Sequence, residues 1–122
     1  METVENNINI LVVDDEDRIR RLLAMYLERE NYNVTQADNG ISALDLALNN
    51  DYDIILLDIM MPGKDGLEVL KELRQVKKTP VILLTAKAEE INVIDGFNTG
   101  ADDYVAKPFS PREIVLRVKS LL

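Results

Sequence analysis

The chain has 122 residues, 47% hydrophobic and 30% charged, with a formal net charge of −8 and neither cysteine nor histidine. That length fits one compact domain able to bury a core without disulfide or structural-metal staples, and the acidic balance argues against direct contact with nucleic acid or an anionic membrane surface. The missing residue types exclude Cys/His zinc sites, thiol nucleophiles and histidine-based triads, so any metal must be held by oxygen, as Mg²⁺, Ca²⁺ or Mn²⁺ are.

Met1 to Asn7 is acidic and polar, which predicts a disordered or extended N-terminus, no signal peptide and a cytoplasmic protein. Ile8 to Val13, apolar apart from Asn9, predicts a first strand. Arg18 to Glu30 then places Ile19, Leu22, Leu23, Tyr26 and Leu27 at helical spacing. Asn33 to Ala37 reads as a short strand, and Gly40 to Asn49 as a helix with Ile41, Leu44 and Leu48 on one side. Asp53 to Leu57 is a further buried strand, too short to span a bilayer, and Pro62-Gly63 marks a turn. Leu67, Leu70 and Leu73 stripe the next helix, and Val81 to Leu84 follows Pro80 as a strand. Glu89 to Asn98 predicts a fourth helix stopped at Gly100, and Tyr104 to Ala106 a last strand. Ser110-Pro111 opens the final helix as N-cap and first helical residue. Strands that are apolar throughout and alternate with helices predict an α/β fold, an open doubly wound parallel sheet covered on both faces.

In such a sheet, ligands bind at the carboxyl ends of the strands. Asp14 and Asp15 are expected just after the first strand, Asp58 after the third, Thr85 after the fourth and Lys107 after the fifth. If these strands are neighbours, three carboxylates converge beside a hydroxyl and an ammonium. Carboxylates so placed raise one another's pKa unless a cation sits among them, and octahedral Mg²⁺ is the natural candidate. The plainer alternative is that Asp14, Asp15 and Asp17 favour the positive end of the first helix, and for Asp17 that is the expectation.

The segments Ile10-Leu11-Val12-Val13-Asp14-Asp15, Leu56-Leu57-Asp58-Ile59-Met60-Met61-Pro62, Leu84-Thr85-Ala86 and Asp102-Asp103-Tyr104-Val105-Ala106-Lys107-Pro108-Phe109 resemble, in this order, those of response-regulator receiver domains. The likeness runs from about Ile8 to Leu122 and implies a five-stranded flavodoxin-like (βα)5 sheet of order 2-1-3-4-5. It further implies that Asp58 accepts a phosphoryl group from a phosphohistidine on a sensor histidine kinase. Asp14, Asp15, Asp58 and the backbone carbonyl of Met60 would hold Mg²⁺, while Lys107 and Thr85 would contact the phosphoryl oxygens. A cis bond before Pro108 is expected, and Met60 and Lys87 would tune the phosphorylated lifetime. On phosphorylation Thr85 would move and Tyr104 turn inward, as the aromatic switch residue does in similar domains. Such a domain would be a phosphoacceptor rather than an enzyme.

The final helix is expected to bury Ile114, Val118, Leu121 and Leu122 and to leave Val115 outside the main stripe. Ile91, Val93, Ile94 and Phe97 exceed one narrow helix face, and charges of both signs flank them, a pattern suiting a symmetric contact. The run Lys107 to Glu113 resembles the OmpR/PhoB-like subclass, whose receivers precede a winged-helix DNA-binding domain. That implies homodimerisation on phosphorylation through the fourth helix, fifth strand and fifth helix, with Ile94, Phe97 and Val115 in contact and Asp103–Arg117 among the ion pairs. DNA binding would belong to a domain absent from this chain, which would be a fragment or, failing that, a stand-alone receiver. Two rivals remain. A haloacid-dehalogenase-type phosphohydrolase would want a second acid where Met60 stands, and a flavodoxin-like nucleotide- or flavin-binding module would want glycines where Asp14-Asp15-Glu16-Asp17 stands.

Overall fold

Five strands, β1 (Asn9–Val13), β2 (Asn33–Ala37), β3 (Ile54–Asp58), β4 (Val81–Thr85) and β5 (Asp103–Ala106), pair in parallel in the order β2-β1-β3-β4-β5. The computed structural model describes residues 7–86 and 100–122. Its helices within those residues are α1 (Asp17–Glu28), α2 (Gly40–Asn49), α3 (Gly66–Leu73) and a C-terminal helix (Pro111–Leu121). The doubly wound sheet and its order match the expectation. The predicted helix over Glu89 to Asn98 lies outside the described residues, as does the N-terminal stretch 1–6.

Burial explains why the three central strands read as unbroken apolar runs. Ile10 to Val13, Ile54 to Leu57 and Val81 to Leu84 are all between 0% and 2% exposed, and each such side chain contributes roughly 1.5–3 kcal/mol. Alternation divides them between two layers. Leu11, Val13, Ile55, Leu57, Val81 and Leu83 pack with α2 and α3, whereas Ile10, Val12, Ile54, Leu56, Ile82, Leu84 and Val105 pack with α1 and the C-terminal helix.

Capping fixes the helix starts. Asn39 and Ser110 accept hydrogen bonds from Ser42 and Glu113 N–H, and Asp65 forms a reciprocal capping box with Glu68. Pro111 is the first helical residue, as predicted. Gly63, in the predicted Pro62-Gly63 turn, and Gly100 both have positive φ.

Several expectations change. Asp58 and Thr85 do not follow their strands but end them, pairing with Leu84 and Ala106. The ladder bonds main chain to main chain, so a polar side chain at the last position does not stop it. α2 buries Gly40, Ala43 and Ala47, while Ile41 is 67% exposed and Leu48 39%. Small residues win that face because α2 lies close to its neighbours: a Cβ on Gly40 would sit 2.0 Å from the Lys64 carbonyl oxygen. On α1 the buried face is Arg20, Leu23, Ala24 and Leu27, with Leu22 largely turned out. Val115 is buried with Ile114 and Val118, and Leu122 is exposed. The predicted stripe of Ile114, Val118 and the partly buried Leu121 holds but widens to take in Val115, so that the solvent-facing apolar residue is Leu116, not Val115.

Candidate functional site

The alternation that sorts the core also assembles the site. Asp14 lies two residues beyond Val12, Asp58 two beyond Leu56 and Lys107 two beyond Val105, so all three continue the row facing α1 and the C-terminal helix. Since β1, β3, β4 and β5 are successive neighbours, that row ends in a tight group. Oxygens of Asp14, Asp15 and Asp58 lie within 4.8 Å of one another. Lys107 Nζ reaches in from β5, 3.1 Å from Asp14 Oδ2 and 3.4 Å from Asp58 Oδ1, with the exposed Glu16 Oε1 at 3.5 Å. Its main chain is tied by its N–H to the Thr85 carbonyl at 2.7 Å, and the Lys107–Pro108 peptide is cis, as expected.

The environment sets the protonation states. Asp58 is 2% exposed, and burial, reinforced by the charge of Asp14 and only partly offset by Lys107, raises its pKa to about 7. Lys107 is pulled two ways. Burial alone would lower its pKa, but the carboxylates of Asp58 and Asp14 outweigh it and leave the ammonium above the usual lysine value. One ammonium does not balance three acids. Asp14 accepts from Glu16 N–H at Oδ1 (2.9 Å), and its buried Oδ2 is ion-paired with Lys107 Nζ at 3.1 Å, without a well-directed hydrogen bond among the described residues. Buried carboxylates that share one ammonium keep uncompensated negative charge, which is costly, and the all-oxygen set fits a hard divalent cation of the Mg²⁺ class.

Other predicted residues fall into place unevenly. Thr85 is fully buried at the end of β4, and alternation puts it with Leu83 on the α2/α3 side of the sheet. Tyr104, half-buried, is paired with Leu83 and packs on that same side. Met60, two residues after Asp58, has a side chain 60% exposed. Asp17 lies at the positive end of α1 as expected, in the first turn after the N-cap Glu16, and is paired with Arg20 at 2.8 Å. Arg117 bonds Asp103 through both carboxylate oxygens at 2.9 Å within the chain, one residue on β5 and the other on the C-terminal helix. Ile94, Phe97 and Lys87 lie outside the described residues.

Sequence reasoning overlooked two residues. Arg20 is a charged residue on a buried face, and its spacing of three, four and seven from Leu23, Ala24 and Leu27 was the available signal. Gly66 is the other. A Cβ there would lie 2.2 Å from the Asp58 carbonyl oxygen, so glycine is what lets α3 start directly behind Asp58. Among the described residues, no helix is long and apolar enough to cross a membrane.

Residues 10–119 match the model of the response regulator receiver domain. The chain is 62% identical over 117 residues to the transcriptional regulatory protein ResD of Bacillus subtilis, covering 96% of this chain and 49% of that protein. It is likewise 62% identical over 113 residues to SrrA of Staphylococcus aureus, covering 93% and 47%. The chain thus spans about half the length of these curated relatives. Among solved structures it resembles a Francisella response regulator receiver domain (TM-score 0.87, 42% identity, 94% of this chain and 96% of that one). It also resembles the Thermotoga maritima response regulator TrrA, solved in complex with Mg²⁺-BeF (TM-score 0.84, 43% identity, 94% and 99%). A match of this extent decides against the hydrolase and flavodoxin-type alternatives. The chain belongs to the response regulator receiver domain family, and it is a two-component receiver homologous to the transcriptional regulators ResD and SrrA.

Proposed function

We propose that Asp58 is the phosphoacceptor, that Asp14, Asp15 and Asp58 with the backbone carbonyl of Met60 hold Mg²⁺, and that the donor is a phosphohistidine of a sensor histidine kinase. The observation that carries this reading is the grouping of three carboxylates and one ammonium at the carboxyl end of the sheet, with Lys107 Nζ 3.4 Å from Asp58. A carboxylate oxygen of Asp58 forms the new P–O bond while the P–N bond to the donor imidazole breaks, its electron pair staying on the ring. Such a transfer asks the protein mainly for alignment and for positive charge at the phosphoryl oxygens. Lys107 supplies a fixed ammonium for one of them, and Thr85 a hydroxyl for another. Attack requires ionised Asp58, and the acid's raised pKa of about 7 works against that while no cation is present. When bound, Mg²⁺ supplies charge that favours the ionised acid and offsets that of the phosphoryl group.

The test is incubation with acetyl phosphate and Mg²⁺ followed by intact mass. A gain of about one phosphoryl group is expected in the parent and none in Asp58→Ala; an equal gain in both would remove Asp58 from its role.

In the same reading, Thr85 and Tyr104 relay phosphorylation to the face of β5 and the C-terminal helix, where a homodimer forms and an effector domain outside this chain controls transcription. The described part of that face offers Asp103, Glu113 and Arg117, and its charges would have to re-pair on association, since Arg117 already bonds both acids. Size-exclusion chromatography with beryllofluoride and Mg²⁺ should show a shift to the dimer volume, reduced in Arg117→Ala; an unchanged elution volume would defeat the dimer.

A further inference from the structure

We propose that Arg20 is a positioning residue for the acidic site: it holds the Asp14–Asp15 peptide so that both carboxylates are presented to one cation. The proposal rests on the reading of Asp14, Asp15 and Asp58 as a divalent-metal site. Arg20 is only 8% exposed, and it shares the buried face of α1 with Leu23, Ala24 and Leu27. A guanidinium in such a place needs acceptors for its donors. This one has three, each on a different stretch of chain. Nε donates to Gln36 Oε1 in β2 at 3.0 Å, Nη1 donates to the Asp14 carbonyl at 3.1 Å, and Nη2 pairs with Asp17 Oδ1 at 2.8 Å.

The Asp14 carbonyl is what connects this fork to the chemistry. It belongs to the peptide that joins Asp14 to Asp15, so its orientation sets where the Asp15 main chain goes and from where its side chain departs. On the other side, Asp14 N–H donates to the Ala37 carbonyl at 3.2 Å, and Asp14 Oδ1 is held by Glu16 N–H. The main chain around Asp14 is therefore fastened at both ends, by β2 before it and by Arg20 after it. Asp15 is exposed, so packing does not place it, and the backbone has to. The pairing with exposed Asp17 would be open to a solvated arginine and does not account for the burial. Lysine at this position would carry its three donors on a single nitrogen and could not span acceptors that lie in three separate directions, as the planar fork does.

The experiment uses Mn²⁺ as probe, its free concentration read by electron paramagnetic resonance during titration of the unphosphorylated protein. Wild type is compared with Arg20→Met, Arg20→Lys and Asp17→Asn, each at a temperature where circular dichroism shows it folded. Arg20→Met is expected to weaken Mn²⁺ binding about tenfold or more, the scale seen when a partner of a metal ligand is removed, with Arg20→Lys restoring only part of it. Asp17→Asn should stay within about twofold of wild type, since the carbonyl contact survives. An arginine that merely packs would lower the thermal midpoint and leave the dissociation constant alone; Arg20→Met binding Mn²⁺ as wild type does would overturn the proposal. Should Arg20→Met fail to fold, Arg20→Lys decides by the same criterion. Wild type that binds no Mn²⁺ would instead overturn the metal-site reading beneath it.

Discussion

The middle of β3 and its last residue are equally hidden from water, yet they stand in opposite energetic positions. Ile54 to Leu57 are 0–2% exposed and Asp58 is 2% exposed. Burial of the first four lowers the free energy of folding, whereas burial of the fifth, beside Asp14, raises it until the acid holds its proton to about pH 7. The same contrast recurs in β1, where Val12 and Val13 give way to the equally buried Asp14. One ladder thus carries the stability of the domain along its length and its chemistry at its tip, and the tip is placed accurately because the length is rigid.

That contrast can be broken from either end. The largest effect is expected in the strand interior: Leu56→Ala, at 0% exposure with both neighbouring strands packed on it, should cost about 2–5 kcal/mol in urea denaturation. A loss below 1 kcal/mol would mean that the core relaxes around the cavity and the strand is not the rigid support described.

A smaller effect, of opposite origin, should appear with pH in metal-free protein. Below the unfolded value of 3.8 both states carry the Asp58 proton. Between 3.8 and about 7 only the folded state keeps it, so the unfolded state binds fewer protons and stability falls as pH rises; above about 7 the fall ends. The drop from this group is at most on the order of a few kcal/mol. Unfolding in chelator at pH 5 and pH 8 should show it, Mg²⁺ should recover stability mainly at pH 8, and Asp58→Asn should flatten the profile. A profile equally steep in Asp58→Asn would assign the dependence to other groups.

The smallest change concerns support of the tip from behind. Gly66→Ala would press a methyl against the Asp58 carbonyl and displace it. Phosphorylation by acetyl phosphate should slow by about tenfold or more, with the fold retained by circular dichroism. An unaltered rate would show that Asp58 tolerates displacement.

How much of this was legible beforehand follows the same divide. Apolar runs announced the buried strands, and Ser110 was read as the cap of the last helix, whereas the caps Asn39 and Asp65 were not singled out. The acids and Lys107 could be grouped because strand ends are ordered by topology. Helix phase was harder to read. α2 carries both leucines and alanines, and only the closeness of its neighbours decides that Ala43 and Ala47 face inward. On the C-terminal helix the stripe of Ile114 and Val118 was read in the right phase, but its width was not, and Val115 joins the core while the next residue, Leu116, stays in solvent. Arg20 was hidden by its type: a charge is read as surface until the three acceptors that permit its burial are known. Asp103 and Arg117 were expected as an ion pair between copies, and the bond they make within the chain could not be read from the sequence.

The alternation of side chains along the sheet has a further consequence. Asp14, Asp58 and Lys107 continue the rows on the α1 side, while Thr85 and Tyr104 belong to the α2/α3 side. If phosphate is captured on the first and felt through the second, the five-stranded wall divides sender from receiver, and Thr85, at its upper edge, is where a signal can pass over without opening the barrier. Substitutions beneath α1 should then alter how readily phosphate is taken up, and those around Tyr104 what the domain does afterwards, making the two separable in one small protein.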